Sequence, residues 1–169
     1  MSPNDAEAGL AAAGAACTPE PLIDAISNFL AHQKLSRADV RTALEVEIRN
    51  AGPGALAALR DRLLASGGDW AYYPADPLAR RIHHVLADRL LDERPELRGA
   101  EHLAPVERAP CIMFANHLSY ADANVVEILL HGSRFPALAD RLTVVAGPKV
   151  YSNLKRRFSS LSFGTIRTP

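Results

Sequence analysis

The segment PCIMFANHLSYAD, residues 110–122, decides how the rest of the chain is interpreted. Its apolar run 111–115 leads directly into Asn116 and His117, and a helical pattern begins close to Asp122. Such an order predicts a strand that ends at a functional loop, because open α/β sheets bind their ligands beyond the carboxyl ends of their strands. We therefore expect a strand over residues 111–115 that positions His117.

The chain after this segment continues the same alternation. Apolar periodicity, β-branched runs and Gly-Pro breaks predict a helix over 120–131, a strand over 142–147, a basic helix over 149–160 and a strand over 162–167. The order strand, helix, strand, helix, strand indicates an α/β sheet. Because the chain stops at Pro169, directly after the last predicted strand, we expect residues 96–169 to be the first part of an incomplete α/β domain.

Four amphipathic helices are predicted before this domain. Their starts are marked by Thr18-Pro19, Ser36, the region of Ala55, and Asp76-Pro77. Short connections between such helices indicate a small bundle or helical cap over residues 19–95. An aromatic segment, Trp70 to Tyr73, is expected to fill a hydrophobic gap. Residues 1–18 are rich in alanine and are expected to form a loose or weakly helical tail.

Charge is distributed unevenly along the 169 residues, although the formal net charge is zero. Residues 133–169 carry seven basic side chains and one acidic side chain, Asp140. This asymmetry favours an anion-binding end of the molecule, and a solvated basic helix face stays open as the alternative. We expect no nucleic-acid partner.

The two cysteines, Cys17 and Cys111, have no metal-binding spacing and make no disulfide framework, which favours a reducing, cytoplasmic compartment. Cys111 is expected to be a buried thiol within the predicted strand. The sequence contains no apolar run long enough to cross a membrane, and its start lacks the basic region of a signal peptide.

His117 and Asp122 have the chemistry of a general base and the carboxylate that orients it. A histidine removes a proton from a hydroxyl most effectively when a carboxylate holds its other ring nitrogen. Ser119, between them, is expected to cap the following helix, whose first N–H groups favour anions. Since the pair has no nucleophile of its own, a substrate hydroxyl would be the nucleophile, which indicates group transfer to an alcohol.

The pattern Asn116-His117-x4-Asp122 after an apolar run resembles the first motif of the glycerolipid acyltransferases, the superfamily of glycerol-3-phosphate and lysophosphatidate acyltransferases. The resemblance covers about residues 97–167 and is strongest with the soluble, plastid-type glycerol-3-phosphate acyltransferases. It implies that His117 deprotonates the acceptor hydroxyl, which attacks the thioester of acyl-CoA or acyl-carrier protein, and that Asp122 orients His117.

The same resemblance implies a binding site for the acceptor, a glycerol phosphate or a lysolipid. Arg167, at the end of Gly164-Thr-Ile-Arg, would hold the acceptor phosphate, with Lys149, Asn116 and Ser119 as further substrate-binding residues. The acyl thioester is a co-substrate, and no cofactor or metal is expected. The family's third motif, a Pro-Glu-Gly stretch, is absent from these 169 residues. Peripheral contact of the basic helix with anionic lipid stays open.

Other interpretations remain beside this one. The chain could be a non-catalytic, truncated acyltransferase-like interaction module, or a hydrolase that uses His117 with water. Asp122 could also occupy a first helical turn for electrostatic reasons alone. His83 and His84 suggest a metal site, but adjacent residues point to different faces of a helix and no carboxylate pair is arranged around them in the sequence, so a metal site is disfavoured.

Overall fold

The computed structural model describes residues 3–13, 19–31, 35–65, 69–91 and 95–169. The helices of the first half are α1 (Pro3–Ala13), α2 (Glu20–Leu30), α3 (Arg37–Ala51), α4 (Pro53–Leu64) and α5 (Pro77–Leu90). The second half contains a short 3-10 helix (Ala100–Val106) and then α6 (Asp122–His131), α7 (Pro136–Arg141), α8 (Pro148–Tyr151) and α9 (Leu154–Ser160). Its strands are β2 (Thr143–Ala146) and β3 (Gly164–Arg167), and β1 (Ala71–Tyr73) lies between α4 and α5.

Local capping explains where two of the predicted helices begin. Ser36 and Asp39 form a reciprocal capping box at the start of α3. Asp76 accepts hydrogen bonds from the backbone N–H groups of Leu78 and Ala79 at the start of α5. Both starts were predicted from the sequence and are confirmed. The predicted cap at Thr18 lies outside the described residues, as does Cys17.

The helices enclose an apolar core that also includes α1. Large aliphatic side chains from α2 to α5 are almost completely buried in it, among them Ile26, Leu44, Leu59 and Ile82. Leu10 of α1 is fully buried in the same cluster. Of the two forms predicted for this tail, the helical one holds for residues 3–13 and the loose one is wrong there, because alanine-rich sequence has high helix propensity and Leu10 anchors the helix.

A three-stranded sheet connects the two halves of the chain. Its order is β1-β3-β2, with β3 antiparallel to β1 and parallel to β2. The strands predicted over residues 142–147 and 162–167 are confirmed as β2 and β3, and with them the general α/β class. Trp70 and Tyr72 are mostly exposed at the β1 edge, so the prediction that this segment fills a hydrophobic gap is wrong for both.

The strand predicted over residues 111–115 is wrong. These residues have no regular secondary structure and pair with no strand in the part of the chain that the structure describes. The edge strands of the sheet are β1 and β2, and residues 111–115 pair with neither, whereas a strand needs a hydrogen-bonded neighbour to form. The side chains of Ile112 and Phe114 are 83% and 92% exposed, and Cys111 is an exposed thiol rather than a buried one.

The basic helix predicted over residues 149–160 is divided into α8 and α9. The break lies at Ser152 and Asn153, and the Asn153 side chain accepts a hydrogen bond from the backbone N–H of Arg156 to cap α9. α9 then inserts Leu154 and Phe158 into the helical core. Arg156 of α9 instead lies over the ring of Tyr120, in the segment that carries His117.

A buried arginine links segments that are far apart in sequence. Arg157 of α9 donates to the carbonyl oxygens of Tyr151 and Leu63 and, over 2.8 Å, to the carboxylate of Glu7 in α1. The division into domains 19–95 and 96–169 stays a prediction. The hydrogen bond from Arg157 to Leu63 and the pairing of β1 with β3 both join the two ranges. Within the described ranges no helix has the length and apolar character needed to span a bilayer.

Candidate active site

Asp122 is the first residue of α6, and its carboxylate organises the preceding turn. Oδ2 accepts the backbone N–H of Leu118 at 2.6 Å and that of Ser119 at 2.9 Å. The Ser119 N–H is the main reason that the pKa of Asp122 is lowered from its ordinary value of 3.8, and the contacts with Leu118 and His117 add to this. Asp122 is therefore an anion near neutral pH.

The same carboxylate oxygen holds His117. Nδ1 of the ring lies 3.1 Å from Oδ2 of Asp122, while the side chain as a whole is 74% exposed. When Nδ1 carries the proton and donates it to Asp122, Nε2 has a free lone pair and can accept a proton. The ring also meets Tyr120 edge-on, with the two ring centroids 6.2 Å apart.

Tyr120 brings a cation to the site. The guanidinium carbon of Arg156, on α9, lies 3.9 Å from the centroid of the Tyr120 ring, which is a cation–π contact. Arg156 Nη1 also donates to the backbone carbonyl oxygen of Lys149 at 3.2 Å. These contacts hold a positive charge beside the ring that packs on His117.

A cleft of about 510 Å³ lies between these residues and the β2 edge of the sheet. His117, Tyr120 and Arg156 form one part of its lining, and the β2 residues Val144 to Ala146 form another. Lys149 and Phe163 also line it. The cleft thus combines a candidate base, two cationic side chains and apolar surface.

Asn124 fixes the start of α6 against α9. This buried side chain donates from Nδ2 to the carbonyl oxygen of Ser159 and to Oγ of Ser162, both at 3.0 Å. Asn124 lies one half-turn after Asp122, so the link keeps the carboxylate and the α9 side of the cleft in a fixed relation. Breaking this link would leave buried hydrogen-bonding groups without partners, which costs free energy.

The residues predicted to bind substrate are only partly brought together. Lys149 lines the cleft, whereas Asn116, Ser119 and Arg167 are not among its lining residues. Ser119 Oγ accepts the Ala121 N–H and so closes the turn before α6 instead of capping the helix itself. Asn116 is exposed.

Arg167 lies on β3 in a buried position. Its guanidinium carbon is 4.7 Å from the centroid of the Tyr151 ring, and Nε and Nη1 find no hydrogen-bond partner among the described residues. Arg167 is thus not part of the lining that contains His117, although on β3 it pairs in register with Ala146 of β2, which is. Its predicted role in phosphate binding stays a prediction.

Sequence reasoning missed the contributions of Tyr120 and Phe163. Tyr120 lies inside the His-x4-Asp motif, and that position was the one available signal for it. Arg156 belongs to the run of three cations, 155–157, in the basic segment that was expected to bind an anion, and of these three it is the one that lines the cleft. Phe163 precedes β3 and carries no local signal.

This arrangement suits proton transfer between a bound hydroxyl group and Nε2 of His117, with Asp122 stabilising the imidazolium that forms. Two nearby cations suit a substrate with an anionic group. Comparisons of the chain with protein-family models, curated proteins and solved structures gave no match, so the chemistry of this site is inferred from its own geometry.

Proposed function

We propose that the protein is an O-acyltransferase that moves a fatty acyl group from a thioester donor to a hydroxyl group of a glycerol phosphate or a lysophospholipid. The observation that supports this proposal is the 3.1 Å contact between His117 Nδ1 and Asp122 Oδ2 at the edge of a cationic cleft. The proposal includes the acyltransferase-type α/β domain and the cytoplasmic setting expected from the sequence.

The proposed reaction uses His117 first as a base and then as an acid. The acceptor hydroxyl gives its proton to Nε2 while its oxygen attacks the thioester carbonyl carbon. A tetrahedral intermediate forms and then collapses, so the C–S bond breaks as the new C–O ester bond is retained. The departing thiolate takes the proton from the imidazolium, which leaves an ester and a free thiol.

The lining of the cleft supports an acceptor and a donor of this kind. Lys149 and Arg156 offer positive charge to a phosphate group, and Arg156 suits it because guanidinium and phosphate geometries match. Val144, Ala146 and Phe163 offer apolar contact to an acyl chain near the thioester.

The test is a transfer assay on the purified full chain. A radiolabelled acyl-CoA, and separately an acyl-carrier protein, is incubated with glycerol 3-phosphate or lysophosphatidate, and both free thiol and extracted acyl ester are measured. We expect ester and thiol in equal amounts. The variant His117→Ala should lose the transfer, by roughly 10²- to 10⁴-fold for a removed general base.

His102→Ala is the matched control, because His102 is an exposed histidine outside the cleft and beside a carboxylate, Glu101. Circular dichroism confirms that each variant is folded. Equal transfer by His117→Ala and wild type would contradict the proposal. Thiol release that needs no acceptor and yields free fatty acid would indicate the hydrolase instead.

A second candidate function, a non-catalytic interaction module, is favoured by one observation. Ile112, Phe114 and Leu118 expose 83%, 92% and 90% of their surfaces in the segment before α6. Exposed apolar side chains in sequence are typical of an interaction surface. This function predicts no acyl transfer with any donor. It also predicts that the chain sediments with anionic liposomes and that Phe114→Ser abolishes this sedimentation. Formation of acyl ester by the wild type would contradict it.

A further inference from the structure

Three side chains that can bind a metal lie together near the far end of α6 from Asp122. His84 of α5 faces Glu127 of α6, with Nε2 at 2.9 and 3.0 Å from the two carboxylate oxygens. His131, the last residue of α6, completes the group, and one ligand atom from each residue lies within 4.8 Å of the other two. The His84 and His131 ring centroids are 4.2 Å apart.

Glu127 is a fully buried carboxylate, with none of its side chain exposed. A buried anion is costly unless a positive charge or several hydrogen bonds compensate it. Among the described residues, the permanent cation paired with Glu127 is Arg80, whose Nε lies 3.5 Å from Glu127 Oε1. That nitrogen donates over the shorter distance of 2.8 Å to the carbonyl oxygen of Ser162.

Arg80 is also paired with a second acid. Its Nη1 donates to Asp140 Oδ1 at 2.7 Å. Arg80, Glu127 and Asp140 together therefore carry one net negative charge when the neighbouring histidines are neutral. In the described part of the chain, Glu127 has no other arginine or lysine as a salt-bridge partner, and its other partner there is the imidazole of His84. A net negative charge of this kind favours a bound cation.

The backbone places these ligands suitably for one ion. Glu127 and His131 are four residues apart on α6, so they lie on the same face of the helix, and His84 meets them from α5. Ligand atoms around a tetrahedral zinc ion are about 3.3–3.5 Å apart, because each lies about 2.0–2.2 Å from the metal. His131 is exposed, so a rotation of its side chain closes the group and leaves a route from solvent.

We propose that His84, Glu127 and His131 bind a divalent transition metal of the Zn²⁺ class and thereby clamp α6 to α5. Two imidazoles and one carboxylate suit Zn²⁺ and disfavour Mg²⁺ and Ca²⁺, which prefer oxygen ligands. The site is separate from the cleft that contains His117 and does not depend on the acyltransferase proposal. Its function is structural, because it fixes the helix that begins with Asp122.

The test uses the untagged full chain after treatment with a chelator. Isothermal titration with ZnCl₂ should show one equivalent bound, and the melting temperature should rise with added Zn²⁺ because the metal binds the folded state. His131→Gln should weaken Zn²⁺ binding at least about tenfold, because the loss of a residue that only supports a metal ligand already lowers metal affinity by about that factor. His84→Gln should weaken it similarly.

His102→Gln is the matched control, because it removes an exposed histidine that lies beside Glu101 and outside the group. It should leave binding unchanged. His131→Gln is the decisive variant, since an exposed side chain can be replaced with little effect on folding. Unchanged Zn²⁺ affinity in His131→Gln, or no binding by the wild type at micromolar Zn²⁺, would overturn the proposal, whatever the outcome of the transfer assay.

Discussion

Asp122 Oδ2 lies 3.1 Å from His117 Nδ1 while it accepts two backbone N–H groups of the intervening turn. The backbone contacts hold the carboxylate without help from the histidine. The imidazole is therefore the group that is oriented, and Asp122 is the group that orients it. This asymmetry gives different expectations for changes at the two positions.

Asp122→Asn should lower the rate of acyl transfer clearly but less than His117→Ala does. An amide oxygen still accepts the Leu118 and Ser119 N–H groups, so the turn is kept, whereas the charge that stabilises the imidazolium is lost. Steady-state kinetics of the two variants and the wild type measure the difference. A larger loss in Asp122→Asn than in His117→Ala would contradict the assigned roles.

Asp122 also makes the stability of the protein depend on pH. Its pKa in the folded state is lowered, mainly by the Ser119 N–H, so its contribution is present above the ordinary value of 3.8 and is lost as pH falls through the lower folded-state pKa. Urea denaturation of wild type and Asp122→Asn, from neutral pH downward, should show their difference shrinking below pH 3.8. A constant difference would contradict this expectation.

Arg156→Met should raise KM for a phosphorylated acceptor by roughly 10- to 100-fold, because a hydrogen bond to a charged group contributes about 1.5–3 kcal/mol. The effect on glycerol as the acceptor should be small. Arg134→Met is the matched control, since Arg134 lies over the Phe135 ring at 4.9 Å and outside the cleft. Equal KM values for both variants would argue against a phosphate at Arg156.

Asn124→Ala should destabilise the folded protein by about 1–3 kcal/mol, because it leaves the buried Oγ of Ser162 without one of its partners. Asn124→Asp should cost more, since a carboxylate cannot donate to the Ser159 carbonyl oxygen. Urea unfolding measures both changes. Asn28→Ala, at an exposed helical position, is the control and should stay close to wild type.

Tyr151 should make the protein sensitive to alkali. Burial is the main cause that raises the pKa of Tyr151 from 10.0 to about 12. Its neutral form therefore contributes stability that is present below pH 10 and is lost as pH rises toward 12. Tyr151→Phe should not show this loss of stability. In an absorbance titration of phenolate, the difference between wild type and Tyr151→Phe should be a component that titrates near pH 12. If the absorbance component that the variant lacks titrates near pH 10 instead, the raised pKa of Tyr151 would be contradicted.

Local chemistry made part of the fold predictable. The starts of α3 and α5 follow from Ser36 and Asp76, which bond to residues only two or three positions away. The β-branched run before Gly147 predicted β2, because strand propensity is likewise a local property of the sequence. The strand predicted over residues 111–115 has the right composition, but pairing depends on a neighbour elsewhere in the chain, and composition does not reveal one.

The candidate site divides in the same way. His117 and Asp122 are five residues apart, so their contact could be predicted from the sequence. Arg167 is a candidate by motif, yet its burial against Tyr151 depends on the packing of β3. His84 and Glu127 are 43 residues apart, and only the packing of α5 near α6 brings them together.

Arg157 has a practical consequence for dividing this protein. Its guanidinium is buried, and its acceptors come from three separate parts of the chain, Glu7, Leu63 and Tyr151. Expressing residues 96–169 alone would leave this cation in an apolar surface without two of those acceptors. Expressing residues 19–95 alone would expose the leucine-lined surface that α9 covers. Recombinant versions should therefore keep the chain whole, including the short helix α1 at its start.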